Sequence, residues 1–550
     1  MTVGAPFQEH ACASQQPWWK EASIYQIYPA SFKDGNGDGI GDLQGVLEKL
    51  DYLQDLGVDA VWLSPIFDSP QVDMGYDVSD YRAIYSPYGT VQDVEQLIAG
   101  LHARNMRLLL DLVVNHTSDQ HEWFKQSRMS LDNPYRDFYI WRDPRYDTSG
   151  NRQPPNNWMA SFGGSAWTYD EITGQYYLHL FAPEQPDLNW ENPSVVNEVH
   201  DIMEFWLDKG VDGFRMDVIN FISKEPGLPD APVSRPGQTY QDAVSLFCNG
   251  PRLHEHLRGL RKVLDRYGAF SVGEMPGVKE DSHVGKIVAA DRKELHTIFQ
   301  FDLVDIDIGD HGKFSHRDWT LPDFKRIINR TQTFAHQVDG WNALFLENHD
   351  QPSHAPVYTG RHSVHVETKN FLQEALETLN GDGKAMEQLW AEVQLKARDN
   401  GRSPVQWDAS PNAGFSSATP WMKVNDDFTQ RNAKLQEHDR ESVLQYWRSG
   451  LSVRKKHART LIHGTFEMHD ANDPSVMCYR RVSRENEEQA LVVLNFTENN
   501  CEWLVPVEVR SVLCGGRVVL SNFHPASLPQ SLGADGRVSL RPFEAFVLIM

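Results

Sequence analysis

Two charged residues, Arg215 and Asp217, offer the clearest starting point for chemistry in the 550-residue chain. They lie two positions apart in a short apolar run. Because alternate side chains of a strand share a face, the two should project together. A paired guanidinium keeps a carboxylate ionised and orients its oxygens. Such a carboxylate can attack an electrophilic carbon, and a structural ion pair at a strand end is the alternative interpretation.

A unit made of a helix, a glycine and a short apolar strand recurs along the chain. One copy has helical spacing from Val46 to Leu56, followed by Gly57 and the strand-like Val58–Pro65. Seven such strands predict a parallel sheet of the α/β class and favour a closed (β/α)8 TIM barrel. The predicted strands are Ala22–Pro29, Ala60–Pro65, Arg107–Val114, Gly213–Val218, Phe270–Met275, Ile298–Leu303 and Ala343–Glu347.

Polar side chains at the C-terminal ends of the strands form the site in a barrel of this kind. Here those ends carry Asp111, Asn115, His116, Arg215, Asp217, Glu274, Asn348, His349 and Asp350. A lone histidine at a strand end is more often structural, so the hypothesis rests on the convergence of several carboxylates and imidazoles.

Two carboxylates on adjacent strands suit glycoside hydrolysis with retention, in which their separation is roughly 5–5.5 Å. Asp217 is the better nucleophile because Arg215 keeps it charged. Glu274 has no cation beside it in sequence and is the better general acid. Asp350 could bind sugar hydroxyls and stabilise developing positive charge, and histidines could donate hydrogen bonds to the same ring.

Two changes of sequence character divide the chain. Residues 117–193 are rich in Trp, Tyr, Pro and Asn, which predicts a small domain inserted after the third strand. After about His463, short apolar runs separated by Gly, Asn and Pro predict an antiparallel β domain over 463–550. The remainder of 1–462 is assigned to the catalytic barrel.

Charge and composition exclude some partners and predict a compartment. The net charge of −24 argues against nucleic acid or an anionic membrane as a partner. No signal peptide and no run of about 18 apolar residues for a transmembrane helix is found. Five scattered cysteines without CxxC spacing indicate reduced thiols. We therefore expect a cytoplasmic monomer that acts on small molecules.

A glycine-rich stretch from Asp34 to Asp42 has oxygen donors at alternate positions. This spacing can surround a hard cation such as Ca²⁺, in a structural role. The stretch departs from an EF-hand because its twelfth position is Gly45, and a turn-rich loop without metal is the alternative. The predicted donors are Asp34, Asn36, Asp38, the Ile40 carbonyl and Asp42.

Four motifs resemble those of the α-amylase superfamily of glycoside hydrolases: DLVVNH at 111–116, GFRMD at 213–217, VGE at 272–274 and ENHD at 347–350. A fifth, QPDLN at 185–189, is similar to the oligo-1,6-glucosidase branch. The resemblance covers most of the chain from about Trp18, and the calcium loop of related enzymes matches 34–42.

The resemblance implies a retaining mechanism with Asp217 as nucleophile, Glu274 as acid/base and Asp350 as transition-state stabiliser. It also implies a set of residues around the non-reducing glucose, namely Asp73, Tyr76, His116, Phe181, Gln185, Arg215, His349 and Arg402. Val218, directly after the nucleophile, favours α-1,6 over α-1,4 linkages in this branch. One methyl-sized difference is worth only about 1–3 kcal/mol.

One segment departs from the family pattern. After Asp350 the family has a further helix and an eighth strand, whereas here the sequence from Val366 to Ala397 is charged and helix-like. We therefore expect a barrel without its last strand, with two unpaired edges.

The leading hypothesis is a retaining, exo-acting α-glucosidase that hydrolyses short isomaltose- or maltose-type substrates. A catalytically silent relative that serves as a binding subunit is one alternative, because of the missing strand. A sucrose isomerase or transglucosidase is another. Trehalose-6-phosphate hydrolysis is less expected, since the inserted domain has no extra basic cluster.

Overall fold

The structure is a computed structural model that describes residues 17–278, 280–309, 312–351, 366–378, 383–524 and 532–550. Its largest sheet has seven parallel strands in sequential order, paired through neighbouring registers. The strands are β1 Ile24–Ile27, β2 Ala60–Leu63, β3 Arg107–Val113, β4 Gly213–Asp217, β5 Phe270–Glu274, β6 Thr297–Phe299 and β7 Asn342–Ala343. The predicted α/β barrel class is confirmed.

Helices alternate with these strands and bury apolar faces, which explains why β2, β4 and β5 are buried along their whole length. Gly57 and Gly268 end two of the helices in the left-handed conformation that the sequence pattern requires. The helices are Leu43–Glu48, Leu50–Leu56, Val91–His102, Pro193–Asp208, Leu253–Tyr267, Asp281–Val288, Leu321–Gln337 and Val443–Lys456.

The sheet does not close. Within the described residues, β1 and β7 are its two ends and do not pair with each other. We call the gap between them the seam. A cavity of about 730 Å³ opens there, with mostly apolar and aromatic walls that include Tyr25, Trp62, Phe299 and Trp447.

Side chains bridge the seam at both ends. At the N-terminal end of the strands, Trp19 lies 6.5 Å from Trp341 between ring centroids, and the Lys20 ammonium lies 5.2 Å from the Trp341 ring. At the C-terminal end, Nε2 of Gln26 lies 2.8 Å from Nδ1 of His349. Among the described residues, side-chain contacts thus connect the two edges of the sheet.

The segment where an eighth strand was sought is helical wherever the structure describes it. Helices Val366–Thr378 and Gly383–Lys396 match the predicted helix-like stretch. Residues 352–365 and 379–382 also belong to the segment in which an eighth strand was sought, and they lie outside the described residues.

All seven strands are shorter than predicted, and the first, sixth and seventh have at most half of their predicted length. The sixth is Thr297–Phe299 and the seventh Asn342–Ala343, against predictions of Ile298–Leu303 and Ala343–Glu347. β7 pairs on one side only, and the two leucines after it, Leu344 and Leu346, are exposed. An apolar run therefore fails to extend the strand because no described neighbour pairs with its outer edge.

The inserted region forms a three-stranded antiparallel sheet of Trp141–Arg142, Gln175–Leu178 and Trp167–Asp170. Its core residues, such as Trp158 and Leu180, share one hydrophobic cluster with Val218 and Phe221. The insertion therefore packs against the chain just after β4.

A five-stranded antiparallel sheet with its own hydrophobic core lies near the C-terminus. In spatial order its strands are Thr465–His469, Val476–Val482, Gln489–Asn495, Ala545–Ile549 and Arg517–Ser521. The four cysteines in the described part of the chain are not joined in disulfides, and their reduced state stays a prediction. None of the described helices has the length and apolarity needed to span a bilayer.

Candidate active site

Arg215 is the centre of a buried group of charges at the C-terminal ends of β3, β4 and β5. Its Nη1 donates to Asp111 Oδ1 at 2.9 Å and to Asp217 Oδ1 at 2.7 Å, and its Nη2 donates to Glu274 Oε2 at 2.6 Å. The Arg215 side chain is 1% exposed. One cation thus holds three carboxylates from three neighbouring strands, and we call these four residues the carboxylate cluster.

The reason given for Glu274 as the acid was wrong in one respect. No cation is next to it in sequence, but Arg215 contacts it in space. Burial nevertheless raises the pKa of Glu274 to about 8, and the Arg215 charge opposes this only in part. Burial raises the pKa of Asp217 to about 6, again against the effect of Arg215. At neutral pH the proton therefore resides on Glu274 and the charge on Asp217.

The two carboxyl groups share one guanidinium. Arg215 Nη1 donates to Asp217 and Nη2 donates to Glu274, which also accepts a hydrogen bond from the Val218 backbone N–H at 3.2 Å. The separation of roughly 5–5.5 Å expected from the sequence stays a prediction.

Val218 has the left-handed backbone conformation, with φ of 32° and ψ of 42°. For a β-branched residue this costs on the order of 1–3 kcal/mol, and such strain concentrates at functional sites. The turn aims the Val218 N–H at Glu274, and its side chain belongs to the core that the inserted region provides. The residue predicted to influence linkage preference therefore connects the strand end to the insertion.

Five of the predicted sugar-binding residues form a group beside the carboxylate cluster. Gln185 Nε2 donates to Asp73 Oδ2 at 3.0 Å and lies 3.2 Å from His116 Nε2. That same histidine nitrogen is 3.0 Å from the Tyr76 carbonyl oxygen, and its ring is 5.1 Å from the Phe181 ring. Phe181 and Gln185 come from the inserted region, which therefore forms one wall of the site.

Asp350 is the third predicted catalytic carboxylate and is bound by cations. Arg398 Nη1 and Arg402 Nη2 donate to its Oδ1 at 2.9 Å and 2.7 Å, and His349 Nε2 lies 3.5 Å away. Burial acts to raise the pKa of Asp350, but the positive charges of Arg398, Arg402 and Lys313 outweigh it and hold the pKa well below its usual range. Asp350 therefore stays ionised across the whole working pH range.

Arg402 has one further guanidinium donor, besides the two that bind Asp350 and His349. Its Nη1 is buried and has no hydrogen-bond partner among the residues that the structure describes. A buried guanidinium N–H without a partner is costly, so a ligand hydroxyl or water is the expected acceptor.

Sequence reasoning missed some residues in the site. Glu367 Oε2 accepts hydrogen bonds from Arg398 Nε at 2.8 Å and from Lys313 Nζ at 3.0 Å. Of these residues, only Arg398 could have been found from the sequence, because it precedes the predicted sugar-binding residue Arg402 by four positions. The two residues begin and end one 3₁₀ helix, Arg398–Arg402. Lys313 and Glu367 lie far apart in sequence and only the fold brings them together.

The predicted cation loop is held by its own backbone. Asp34 accepts from the Gly37 and Gly39 N–H groups at 2.6 Å and 2.8 Å, and Asp42 accepts from Gly45 N–H at 2.6 Å. No three His, Cys, Asp or Glu side chains in the described ranges are placed to ligate a metal ion. A cation here would therefore also need the predicted amide and carbonyl donors. Asp42 already accepts from the backbone N–H groups of Gly35, Asn36 and Gly45, so its carboxylate would have to give up some of these hydrogen bonds.

The sequence model of the alpha-amylase catalytic domain matches residues 26–464. The chain belongs to the α-amylase family of glycoside hydrolases. This α-amylase family member is 43% identical to an α-glucosidase of Schizosaccharomyces pombe, over 96% of this chain and 98% of that one. It is 42% identical to an oligo-1,6-glucosidase of Halalkalibacterium halodurans, over 97% and 99% of the two chains. These relatives place it in the α-glucosidase and oligo-1,6-glucosidase branch.

A solved structure of another α-amylase family protein has the same fold. It is a mutant isomaltulose synthase from Erwinia rhapontici NX5 in complex with its natural substrate sucrose, with a TM-score of 0.88. The two proteins are 37% identical, and the match covers 98% of this chain and 99% of that one.

One relative contains segments that this chain lacks. The alignment with the Schizosaccharomyces pombe enzyme extends over 577 residues, which exceeds the 550 of this chain. That family member therefore has residues without a counterpart here.

Proposed function

We propose that this chain is a retaining, exo-acting α-glucosidase that releases glucose from short α-glucosides. The single observation that supports this most strongly is the pair of carboxyl groups bound by Arg215, Asp217 and Glu274, whose pKa values of about 6 and about 8 assign them opposite protonation states at pH 7. Retaining glycosidases require one ionised and one protonated carboxyl group.

The proposed reaction has two steps. In the first, a carboxylate oxygen of Asp217 forms a bond to the anomeric carbon while the glycosidic bond breaks and Glu274 gives its proton to the leaving oxygen. In the second, Glu274 takes a proton from water, whose oxygen attacks the same carbon and releases Asp217. Arg215 stays bound to both carboxylates, which orients their oxygens.

The surrounding residues fit a terminal glucose. Asp350 carries a permanent negative charge that can stabilise an oxocarbenium-like transition state. Asp73, Gln185 and His116 supply a buried hydrogen-bonding wall from the inserted side. A site walled on that side favours attack at a chain end, and Val218 favours isomaltose-type substrates.

Product analysis with four substrates tests the proposal. Purified protein is incubated with maltose, isomaltose, sucrose and 4-nitrophenyl α-glucoside, and released glucose is measured. We expect glucose from at least one of them, with isomaltose preferred to maltose. If the folded protein cleaves none of the four, the α-glucosidase function is rejected. The remaining alternative is then a catalytically silent binding subunit, which the open sheet favours. An inhibitor that still raises the melting temperature would then identify that subunit.

Isomerisation of sucrose is a second candidate, because the similar isomaltulose synthase structure contains sucrose. The first step is the same, but the released fructose then attacks in place of water. Isomaltulose or trehalulose in the sucrose digest, without equivalent free glucose, would favour this reaction.

The pH dependence follows from the two carboxyl groups. We expect kcat/KM to rise as Asp217 loses its proton at about pH 6 and to fall as Glu274 loses its proton at about pH 8. The bell-shaped profile should have its maximum near pH 7. Initial rates at low substrate concentration from pH 4.5 to 9.5 measure it, and a profile that stays flat across both limbs would contradict the assignment.

We further propose that the loop from Asp34 to Asp42 binds Ca²⁺ in a structural role. Calcium at about 100 times its Kd should then stabilise the EGTA-treated protein by about 2.7 kcal/mol, seen as a higher melting temperature. Asp38→Asn should weaken this response, while Asp80→Asn, at an exposed position away from the loop, should retain it. No response in the unmodified protein would leave a loop held by hydrogen bonds alone.

A further inference from the structure

Gln26 is the residue of β1 that reaches across the seam to the site. Its Nε2 lies 2.8 Å from Nδ1 of His349 and 3.1 Å from Oγ of Ser64, and the side chain is half-buried. No predicted role accounts for this contact. It joins one free edge of the sheet to the segment that follows the other.

The hydrogen bonds on the far side of the His349 ring determine where its proton lies. Asp111 receives N–H donors from Arg215 and from Trp62, the latter at 3.2 Å, so it acts as an acceptor. Tyr76 OH lies 3.1 Å from Asp111 Oδ2 and therefore donates to it. The Tyr76 oxygen is then free to accept from His349 Nε2, which lies 2.6 Å away.

This series of hydrogen bonds is consistent with one tautomer of His349. If Nε2 carries the proton, Nδ1 has a lone pair, and the Gln26 amide N–H is the donor that faces it. The ring is held in place by stacking on Tyr76, at 5.3 Å between centroids and 6° between planes. The donor and acceptor roles are thus consistent from Asp111 through Tyr76 and His349 to Gln26.

We propose that Gln26 is a positioning residue that fixes His349 as the tautomer protonated on Nε2. In that form, the Nε2–H of His349 donates to the Tyr76 oxygen, and the ring stays beside Asp350, where the sugar ring is expected to bind. The consequence for turnover rests on the proposed α-glucosidase function, whereas the tautomer itself does not. In this seven-stranded sheet, Gln26 also ties β1 to the segment after β7.

The charges around His349 make a neutral ring the ground state. Burial is the largest effect and lowers its pKa, Arg402, Arg215 and Arg398 lower it further, and Asp350 raises it in opposition. The resulting pKa is well below the usual value, so the imidazole is neutral throughout the range in which Asp217 is ionised.

Gln26→Glu is the decisive substitution, because it preserves the shape of the side chain and removes its only donor. A carboxylate accepts hydrogen bonds and would draw the proton to Nδ1 or stabilise an imidazolium. We expect kcat/KM to fall about 10–100-fold, mainly through KM, with a new ionisation in the pH profile. Gln26→Met removes the hydrogen bond to His349 but supplies no acceptor in its place, so we expect a smaller fall in kcat/KM than for Gln26→Glu. Gln96→Glu makes the same change of charge on an exposed helix surface and should behave as the unmodified protein.

The tautomer can be read without any substrate. Imidazole ¹⁵N NMR of the full-length protein, with the His349 signal identified by its absence from His349→Asn, distinguishes a protonated from an unprotonated Nδ1. We expect an unprotonated Nδ1 in the unmodified protein and a protonated one in Gln26→Glu. A protonated Nδ1 in the unmodified protein, or the same tautomer in both proteins, would overturn the proposal. If the spectra show the expected tautomers but the protein hydrolyses no glucoside, the α-glucosidase function is rejected and the tautomer assignment stands. If the Gln26→Glu variant does not fold, the spectrum of the unmodified protein still tests whether Nδ1 of His349 is unprotonated.

Discussion

Asp217→Asn should abolish glucoside hydrolysis, with a fall in kcat of at least about 10⁴-fold. The amide cannot form the covalent bond to the anomeric carbon, and the loss should therefore apply to every substrate. Stability should not fall. Burial raises the pKa of Asp217 to about 6, so at pH 7 its ionised form is less favourable in the folded than in the unfolded chain. A neutral isostere removes that cost.

Glu274→Gln is the matched comparison, because it changes the partner carboxyl group in the same way. An amide cannot protonate a leaving oxygen, so hydrolysis of isomaltose should fall severely. 4-Nitrophenyl α-glucoside has a leaving group that needs no proton, so its first step should be largely preserved. Single-turnover release of nitrophenol by both variants measures the difference. Equal losses on the aryl substrate in the two variants would contradict the assignment of roles.

Arg215→Gln should cause the largest loss of stability of any single substitution in the site. It leaves three buried carboxyl groups, Asp111, Asp217 and Glu274, without their shared cation, and two of them are ionised at neutral pH. Removing one partner of a buried ion pair typically costs about 3–5 kcal/mol. Urea unfolding followed by tryptophan fluorescence measures the change, and activity should be lost with it.

The pH dependence of this loss separates charge from packing. Burial raises the pKa of all three carboxyl groups and Arg215 opposes that rise, so its removal raises them further. Folded-state pKa values above the unfolded ones mean that stability is present at low pH and decreases as pH rises. The destabilisation should therefore be greater at pH 8 than at pH 5. Arg326→Gln, on an exposed helix face, is the control and should show neither effect. A loss independent of pH would indicate a packing defect.

The sequence was sufficient for features that depend on local periodicity. The two-residue spacing of Arg215 and Asp217 predicted a shared strand face, and the structure has their ion pair at 2.7 Å. The helix–glycine–strand unit predicted the order of all seven strands, because each unit buries its own apolar face.

Contacts between segments that are far apart in the sequence could not be predicted from it. Nothing beside Glu274 in sequence indicates that it shares a guanidinium with Asp217, since β4 and β5 meet only through the sheet register. Gln26 and His349 are 323 positions apart, and only the seam brings them into contact. The left-handed conformation of Val218 was equally invisible, because β-branched residues rarely adopt it.

The position of the seam has a consequence for the proposed catalytic groups. β4 is the middle strand of the seven described strands, three strands from either free edge of the sheet. Asp217 on β4 and Glu274 on the next strand are therefore the proposed reacting groups farthest from the seam. Asp350 follows β7 and lies beside the seam, so we expect a change in the seam to affect Asp350 and its neighbours more than the bond-making pair.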